Sequence, residues 1–391
     1  MELPDLPQKG LTALRVKGYA RCMLKPIAMI AFTVGAVAAA LGSSPAFGQM
    51  PATPPPTASA AFTDSAAAGL SATRRVAIAS VIVSFQASAA GTKAQGNGMF
   101  ADKNSAQTVL ALPAMDPELQ AAIVAEAYHQ LRAGLTAAGF EIVPEAEVIT
   151  NASYQQIVKA AGTPNYTRFG NAIGDAMLVS PPTLTPYLPY AMEGSLFEQP
   201  KSYIGWVSGM GGKSVTPGGP SVTSIGTIWK VPGLEVQMAK DLNAHVVKAF
   251  YVVTVGRASA SRQRDRIATG PSSPGRESGQ GSAQAEVGLL ADQTRIAFRT
   301  PNGNNKWQKV TFSKPAPAKD GDVVVRLAES LGGSSDVFAM TSSSSLGGLF
   351  NPGADFQFRF VATLTEPARY RAEVQSMIGS ANSAMTALVR P

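Results

Sequence analysis

Two stretches decide the fold: residues 74–85, RRVAIASVIVSF, and residues 116–143, DPELQAAIVAEAYHQLRAGLTAAGFEIV. The first is a run of β-branched and apolar residues, which is typical of a buried strand. The second starts with Asp116 in an N-cap position and Pro117 in the first turn, both of which favour the start of a helix. Gly139 then offers the left-handed conformation that ends helices.

The helix predicted for 116–138 has one apolar face. Its apolar residues recur at every third or fourth position, and they are Leu119, Ile123, Ala127, Leu131, Leu135 and Ala138. A short strand, FEIV at 140–143, follows at once. Strand, amphipathic helix and strand in this order predict a βαβ-type layer, with the helix covering one face of a sheet.

The rest of the chain predicts further elements of both kinds. We expect helices at 153–161, 234–242 and 367–388, and strands at 107–112, 245–255 and 356–364, the second of these in the centre of a sheet. Two strand pairs are expected, one within 285–299 turning near Asp292 and one joining 307–312 to 322–327. The predicted fold class is therefore α/β, a mixed β-sheet flanked by helices, with a C-terminal helix.

Two stretches interrupt this pattern. Residues 165–231 are rich in Gly, Pro, Ser, Thr and aromatic residues and lack a sustained helical period, which predicts a Gly/Pro-rich insertion that is either β-rich or irregular. Residues 257–282 are polar and are expected to form a loop. We predict a single α/β domain over 74–391.

The N-terminus has the pattern of an export signal. Residues 26–42 are an uncharged apolar run preceded by Lys25, and the small residues Ala46 and Gly48 fit cleavage before Gln49. The alternative is a membrane anchor, but an Ala/Gly-rich run this short has little surplus over the roughly 20 residues that a bilayer requires. Residues 1–48 are therefore interpreted as a signal peptide, and Met23 would give a more ordinary start than Met1.

The mature chain then begins with a linker and contains no thiol. Residues 49–73 are mostly Pro, Ala, Ser and Thr, a composition that predicts a flexible segment. The single cysteine, Cys22, precedes the apolar run and would leave with the signal peptide. A cysteine-free mature chain has no disulfides, thiolate metal sites or cysteine nucleophiles.

The net charge of +7 gives little information about partners. Residues 1–48 hold five Lys and Arg and two Asp and Glu, so the remainder carries 28 basic against 24 acidic residues. An excess of four positive charges over such a length does not predict nucleic-acid binding.

No catalytic, cofactor or metal site is predicted. The sequence GMGGKS at 209–214 lacks the first glycine of a phosphate-binding loop, where Val207 stands instead, and prolines follow where a helix should begin. His129 lies off the apolar face of its helix and is expected in solvent, and His245 is expected to make a structural hydrogen bond. The sequence KDGD at 319–322 is expected to favour a turn rather than to bind calcium.

Five arginines form the one local concentration of positive charge. They are Arg257, Arg262, Arg264, Arg266 and Arg276, and they lie among Ser and Gly without interleaved aromatic residues. A solvated loop is one interpretation, and contact with an anionic lipid, glycan or nucleic acid is the other.

The order of elements resembles a known envelope domain. The strand at 76–85, the helix and turn at 131–143, and the helix and strand at 239–255 are similar to the periplasmic α/β domain of curli-secretion channel subunits, lipoprotein activators of penicillin-binding proteins and the TolB N-terminal domain. This resemblance implies an envelope setting and a fold, but no residue role. Those channel and activator families are lipoproteins, whereas this chain lacks a lipidation cysteine, and 165–231 and 257–365 have no counterpart in the pattern.

These features together predict a periplasmic or secreted protein without enzymatic activity that binds or assembles with other molecules. The expected partner is another envelope protein or a further copy of the chain, with no nucleic acid and no membrane span after signal cleavage. Two alternatives stay open: a hydrolase of cell-wall or lipid material that uses Ser, Asp or Glu with His129 or His245, and a subunit of an outer-membrane secretion assembly.

Overall fold

The computed structural model describes residues 57–62, 70, 73–94, 105–112, 115–162, 164–171, 174–187, 230–265, 276–291, 293–303, 323–345, 356–389 and 391. Within these residues the helices are α1 Pro117–Ala137, α2 Glu145–Thr150, α3 Ala152–Ala161, α4 Val231–Asp241 and α5 Pro367–Ala387. No helix in this part of the chain is both long and apolar enough to cross a membrane.

The strands form two sheets. They are β1 Ala60–Phe62, β2 Arg75–Gln86, β3 Ser88–Ala94, β4 Ser105–Ala111, β5 Glu141–Ile142, β6 Tyr166–Asn171, β7 Gly174–Val179, β8 His245–Asp265, β9 Arg276–Leu289, β10 Arg295–Arg299, β11 Val323–Leu327, β12 Leu331–Gly332, β13 Phe338–Ser345 and β14 Phe356–Leu364. The main sheet has the order β1-β11-β10-β8-β2-β7-β6, with β5 beside β2, β9 beside β8 and β12 beside β9. The second sheet has the order β13-β14-β4-β3.

The centre of the main sheet is the parallel pair β2 and β8, while β10 and β7 join it in antiparallel orientation on either side. The prediction of an α/β fold with a mixed sheet and a C-terminal helix is thus confirmed. Alternate side chains of β8 point to opposite faces, as the strand period requires. Val247, Ala249, Tyr251 and Val253 face a core shared with α1 and α5, and Val246 faces a second core shared with α3 and α4.

The C-terminal helix is tied to the sheet by one buried polar contact. The Tyr251 hydroxyl on β8 donates a hydrogen bond of 2.6 Å to Oδ1 of Asn382 on α5, and both side chains are buried. Burial raises the pKa of Tyr251, so this hydroxyl remains a donor at neutral pH. The rest of α5 packs through apolar side chains such as Val374 and Ile378.

The residues before β2 are partly ordered, which differs from the flexible linker predicted for 49–73. Strand β1 pairs with β11, from Ala60 opposite Leu327 to Phe62 opposite Val325, and Leu70 is fully buried in the core. Composition could not indicate this, because a short Ala-Ala-Phe strand is stabilised by the sheet edge that it covers rather than by its own propensity.

Two predictions about residues 257–299 are wrong. The predicted polar loop at 257–282 is wrong where the structure describes it: β8 continues to Asp265 and pairs with β9 from Arg276 onward, and we call this pair the hairpin arm. The predicted strand pair within 285–299 does not form either, because β9 and β10 both pair with β8 rather than with each other. Polar and small side chains suit a strand whose outer face is exposed, so polarity alone did not identify a loop.

The insertion predicted at 165–231 contains a hairpin, β6 and β7, which joins the edge of the main sheet beside β2. Elsewhere in the described residues the helices and strands predicted from the sequence lie within a few residues of their expected bounds. The predicted signal peptide at 1–48, residues 188–229 of the insertion and the strand at 307–312 lie outside the described residues.

Candidate functional site

One face of the main sheet carries an unusual set of polar side chains. Register places Ser80 of β2 beside Lys248 of β8, and Lys248 beside Ala297 of β10. The side chains two positions along β10, Arg295 and Arg299, therefore lie on this same face. We call this surface the cationic face; it is the side of the sheet opposite α1 and α5.

Glu235 on α4 forms ion pairs with two cations of the cationic face. Its Oε2 accepts hydrogen bonds from Nε and Nη2 of Arg299 at 3.1 and 3.0 Å, and its Oε1 lies 2.9 Å from Nζ of Lys248. Glu235 and Arg299 are fully buried, and Lys248 is 5% exposed. A buried carboxylate is tolerated only when it is paired, so these two cations account for the presence of Glu235 inside the protein.

Beyond Glu235 the cationic face contains a small pocket. Its lining includes Ser80, Ile82, Lys248, Phe250, Arg295 and Ala297. Arg295 is 3% exposed, and its guanidinium carbon lies 5.5 Å from the centre of the Phe250 ring, which is cation–π geometry. Ser80 is 1% exposed, and its hydroxyl has no hydrogen-bond partner. The pocket thus combines apolar walls with a hydroxyl and two cations.

The surroundings of Ser80 can be compared with those of a catalytic serine. A serine nucleophile needs a neutral base beside it, most often a histidine or an amine. The amine closest in register to Ser80 is Lys248, which is an ion-pair partner of Glu235. Neither histidine contributes, since His129 is exposed on α1 and His245 bonds to backbone carbonyls at the other side of the sheet.

His245 holds the segment before β2 against the sheet. Its Nε2 lies 3.1 Å from the carbonyl oxygens of both Leu70 and Thr73. Burial lowers the pKa of His245 below its usual 6.5, an effect that the two backbone hydrogen bonds partly oppose. The prediction that His245 makes a structural hydrogen bond is confirmed, and so is the exposed position of His129.

This pKa predicts a contribution of His245 to the pH dependence of stability. Because the folded state binds the proton less readily than the unfolded state, stability is lost as the pH falls below about 6.5 toward the lower folded pKa. In His245→Gln, whose amide nitrogen can still donate to Leu70 or Thr73, we expect a smaller loss of unfolding free energy between pH 7.5 and pH 5. Urea unfolding at the two pH values measures it.

The chain offers a matched control for this substitution in its second histidine. His129→Gln should keep the pH dependence of the unmodified protein, because His129 is exposed. If His245→Gln and the unmodified protein lose the same amount of stability on acidification, the assignment of this proton to His245 is wrong.

Four of the five arginines predicted to contact an anionic surface lie on the hairpin arm. Arg257 has a side chain that is 84% exposed, with Nη2 lying 4.0 Å from Oε2 of Glu286. Arg262, Arg264 and Arg276 occupy strand positions of the arm, whereas Arg266 lies outside the described residues. The four described arginines are not among the residues that line the pocket of the cationic face.

The charged residues of the cationic face were not predicted from the sequence, although one signal was present. Lys248 interrupts the β-branched run HVVKAFYVVTV at 245–255, and a charge inside a buried strand requires a partner. Arg295 and Arg299 alternate with apolar residues in the same way. Nothing in the sequence indicates that Glu235, on a helix, faces these strands.

The described residues contain no group of three or more His, Cys, Asp or Glu that could hold a metal ion, and 319–322 lies outside them. No protein-family model, curated protein or solved structure matches this chain. Interpretation of the function therefore depends on the geometry of this fold.

Proposed function

We propose that this is an exported cell-envelope protein, without catalytic activity, that binds another polypeptide by strand pairing at the edge of its second sheet. The observation that carries the proposal is strand β13. Within the described residues it pairs only with β14, which leaves its other edge available for a further strand. An extended chain can add to such an edge through backbone hydrogen bonds.

Exposure of β13 supports this role. Four consecutive residues, 339–342, are exposed, and Met340 has 42% of its surface accessible. Met340 lies opposite the fully buried Ala362 of β14, so it is on the face that continues into the core of the second sheet. Proteins ordinarily protect a free edge with charge, proline or a covering segment, and residues 338–345 contain neither a charge nor a proline.

The second sheet is backed by the hairpin arm. The arm packs on this sheet so closely at Gly281 that a side chain there would collide with the Phe358 ring of β14, the strand that pairs with β13. The partner strand of β13 is therefore held in place by a second layer.

The base of β13 is held rigidly, as a docking edge requires. Arg369 at the start of α5 donates to Oδ2 of Asp336 at 2.9 Å and to Oε1 of Glu373 at 3.1 Å. The Ser334 hydroxyl also donates to Glu373, at 2.6 Å. This network fixes the turn that leads into β13, so the ordering cost on binding falls mainly on the partner.

The sequence supports the envelope setting of the proposal. Residues 26–42 with the small residues before Gln49 have the pattern of a cleaved export signal, and the resemblance to envelope α/β domains is consistent with it. A subunit of an outer-membrane secretion assembly is one form of this proposal, in which the added strand comes from a further copy. The hydrolase alternative has less support, because His245 contacts the backbone carbonyls of Leu70 and Thr73 and His129 is exposed on α1.

We expect crosslinks to form at position 340 on the edge strand β13 and not at position 363 on its neighbour β14. A photo-crosslinking amino acid at Met340 in the full chain, expressed in intact cells, should capture a partner or a second copy, which mass spectrometry identifies. The same amino acid at Thr363, exposed on β14 but away from the edge, is the matched control and should capture little. Met340→Lys should reduce the capture at a crosslinker placed at Thr341 at least tenfold, because a charge on an edge strand opposes pairing.

Two results would contradict strand pairing at β13. One is a monomeric protein with no crosslinked product at 340. The other is an equal yield of the same product at 340 and 363, which would indicate random collision rather than a docking edge.

A further inference from the structure

The free edge of β13 presents the backbone groups of alternate residues. The backbone N–H of Thr365 donates to the carbonyl oxygen of Val337 at 2.9 Å, and the register continues with Phe338 opposite Leu364. In an antiparallel pair the backbone groups of successive residues point alternately toward the partner strand and away from it. The odd-numbered residues of β13 therefore bond to β14, and the backbone groups of the even-numbered residues point away from β14.

Three of these outward-pointing residues can bond to a further strand. They are Met340, Ser342 and Ser344, whose backbone groups have no partner strand among the described residues. Phe338 offers less, because its N–H already donates to the carbonyl oxygen of Ser335 at 3.1 Å. An added strand must therefore match the donors and acceptors of three residues spaced two apart.

The composition of β13 favours a second copy of this strand as the one that is added. When a strand pairs with its own copy, a charge on it comes close to the same charge on the copy, and like charges that face each other are destabilising. Residues 338–345, FAMTSSSS, contain no charge. The strand at the opposite end of this sheet, β3, contains Lys93, which is the kind of residue that protects an edge from pairing. Self-pairing is thus opposed at β3 but not at β13.

We infer, on the basis of the strand pairing proposed above, that β13 pairs with the β13 of a second copy in antiparallel orientation, with Ser342 on the two-fold axis. The two faces of the second sheet differ, because Phe338 is buried on one and Ala339 is exposed on the other. A continuous sheet keeps these faces only if even-numbered residues lie opposite even-numbered residues. The register that uses all three free residues places Met340 opposite Ser344 and Ser342 opposite its own copy.

Single cysteines on β13 report this register. In a chain with Cys22→Ser, which has no other thiol, Ser342→Cys should form a disulfide-linked dimer on mild oxidation. Residues that face each other in such a pair have Cα atoms about 5.5 Å apart, which a disulfide can span. Thr341→Cys is the matched control. Its copy lies diagonally across the pair, at about 7 to 8 Å, so it should give about tenfold less dimer although Thr341 is also exposed.

Ser342→Pro tests the backbone hydrogen bonds on the axis. Proline has no N–H, but the N–H of Ser342 points away from β14, so the variant should fold normally by circular dichroism. Two hydrogen bonds between the copies are lost at this position. The dissociation constant of the dimer, measured by sedimentation of the purified full chain, should therefore rise about tenfold or more.

The outcomes separate this inference from the proposed function. More dimer from Thr341→Cys than from Ser342→Cys overturns the inference, as does an unchanged dissociation constant in folded Ser342→Pro. If Ser342→Pro does not fold, the two cysteine variants still decide the question. A purified chain that stays monomeric also overturns the inference, but a different protein crosslinked at Met340 in cells would then leave strand pairing at β13 standing. Absence of any product at Met340 contradicts both.

Discussion

Glu235→Gln is expected to lower the free energy of unfolding by about 3 to 5 kcal/mol, the usual effect of breaking a buried ion pair by removing one partner. The carboxylate of Glu235 is fully buried and contacts both Arg299 and Lys248. Glutamine keeps the shape of the side chain but leaves two buried cations without this counter-charge. Urea unfolding of the two proteins at pH 7 measures the difference.

Glu141→Gln is the matched control, because it makes the same chemical change in an exposed ion pair. Oε1 of Glu141 lies 3.4 Å from Nε of Arg75, and the Glu141 side chain is 68% exposed. Exposed pairs contribute about 1 kcal/mol or less, so this variant should unfold almost as the unmodified protein does. Equal destabilisation by both substitutions would show that Glu235 is not in a low-dielectric environment.

Replacement of Glu235, Lys248 and Arg299 together should restore the free energy of unfolding that Glu235→Gln loses. A chain with Glu235→Leu, Lys248→Met and Arg299→Met carries no buried charge at these three positions, and apolar replacements of buried ion pairs are often neutral or stabilising. Such a variant should fold, and its urea unfolding at pH 7 should match that of the unmodified protein more closely than the unfolding of Glu235→Gln does. A triple variant as unstable as Glu235→Gln would contradict this account of the buried charges.

Gly256→Ala is the second substitution with a large expected effect, a loss of about 3 kcal/mol or more in unfolding free energy. Gly256 has a φ of 134° and lies where the register of β8 and β9 shifts. A Cβ there would collide with the carbonyl oxygen of Gln284 on β9. Because this bulge directs the hairpin arm toward the second sheet, the clash cannot be relieved without moving the arm.

Gly139→Ala separates backbone strain from collision. Gly139 also has a positive φ, 99°, but the nearest atom to a Cβ there is Cγ of Pro391 at 3.5 Å, an ordinary contact. Gly139→Ala should therefore lower the free energy of unfolding by about 1 kcal/mol, the cost of placing an L-residue in the left-handed region. If Gly256→Ala and Gly139→Ala unfold at the same urea concentration, the collision at Gly256 adds nothing to the backbone strain, and the larger effect predicted for Gly256→Ala is wrong.

The sequence alone determined the local elements wherever a period or a cap was strong. Asp116 does accept a hydrogen bond from the Glu118 backbone at the start of α1, and Gly139 has the positive φ expected after its end. The apolar runs of β2 and the first half of β8 also predicted strands, because such side chains are stable only in a core. These features depend on neighbours within a few residues, which is why they can be read without a structure.

Only the tertiary structure decided the candidate sites. Glu235 meets Lys248 and Arg299 from a distant part of the chain, and Ser80 meets Lys248 only because β2 and β8 pair in one particular register. Likewise the polar residues at 257–265 and 276–282 form strands through pairing of β8 with β9 rather than through their own propensity. The physical reason is the same in each case: pairing between strands and burial of charge depend on contacts remote in sequence, for which local composition carries no signal.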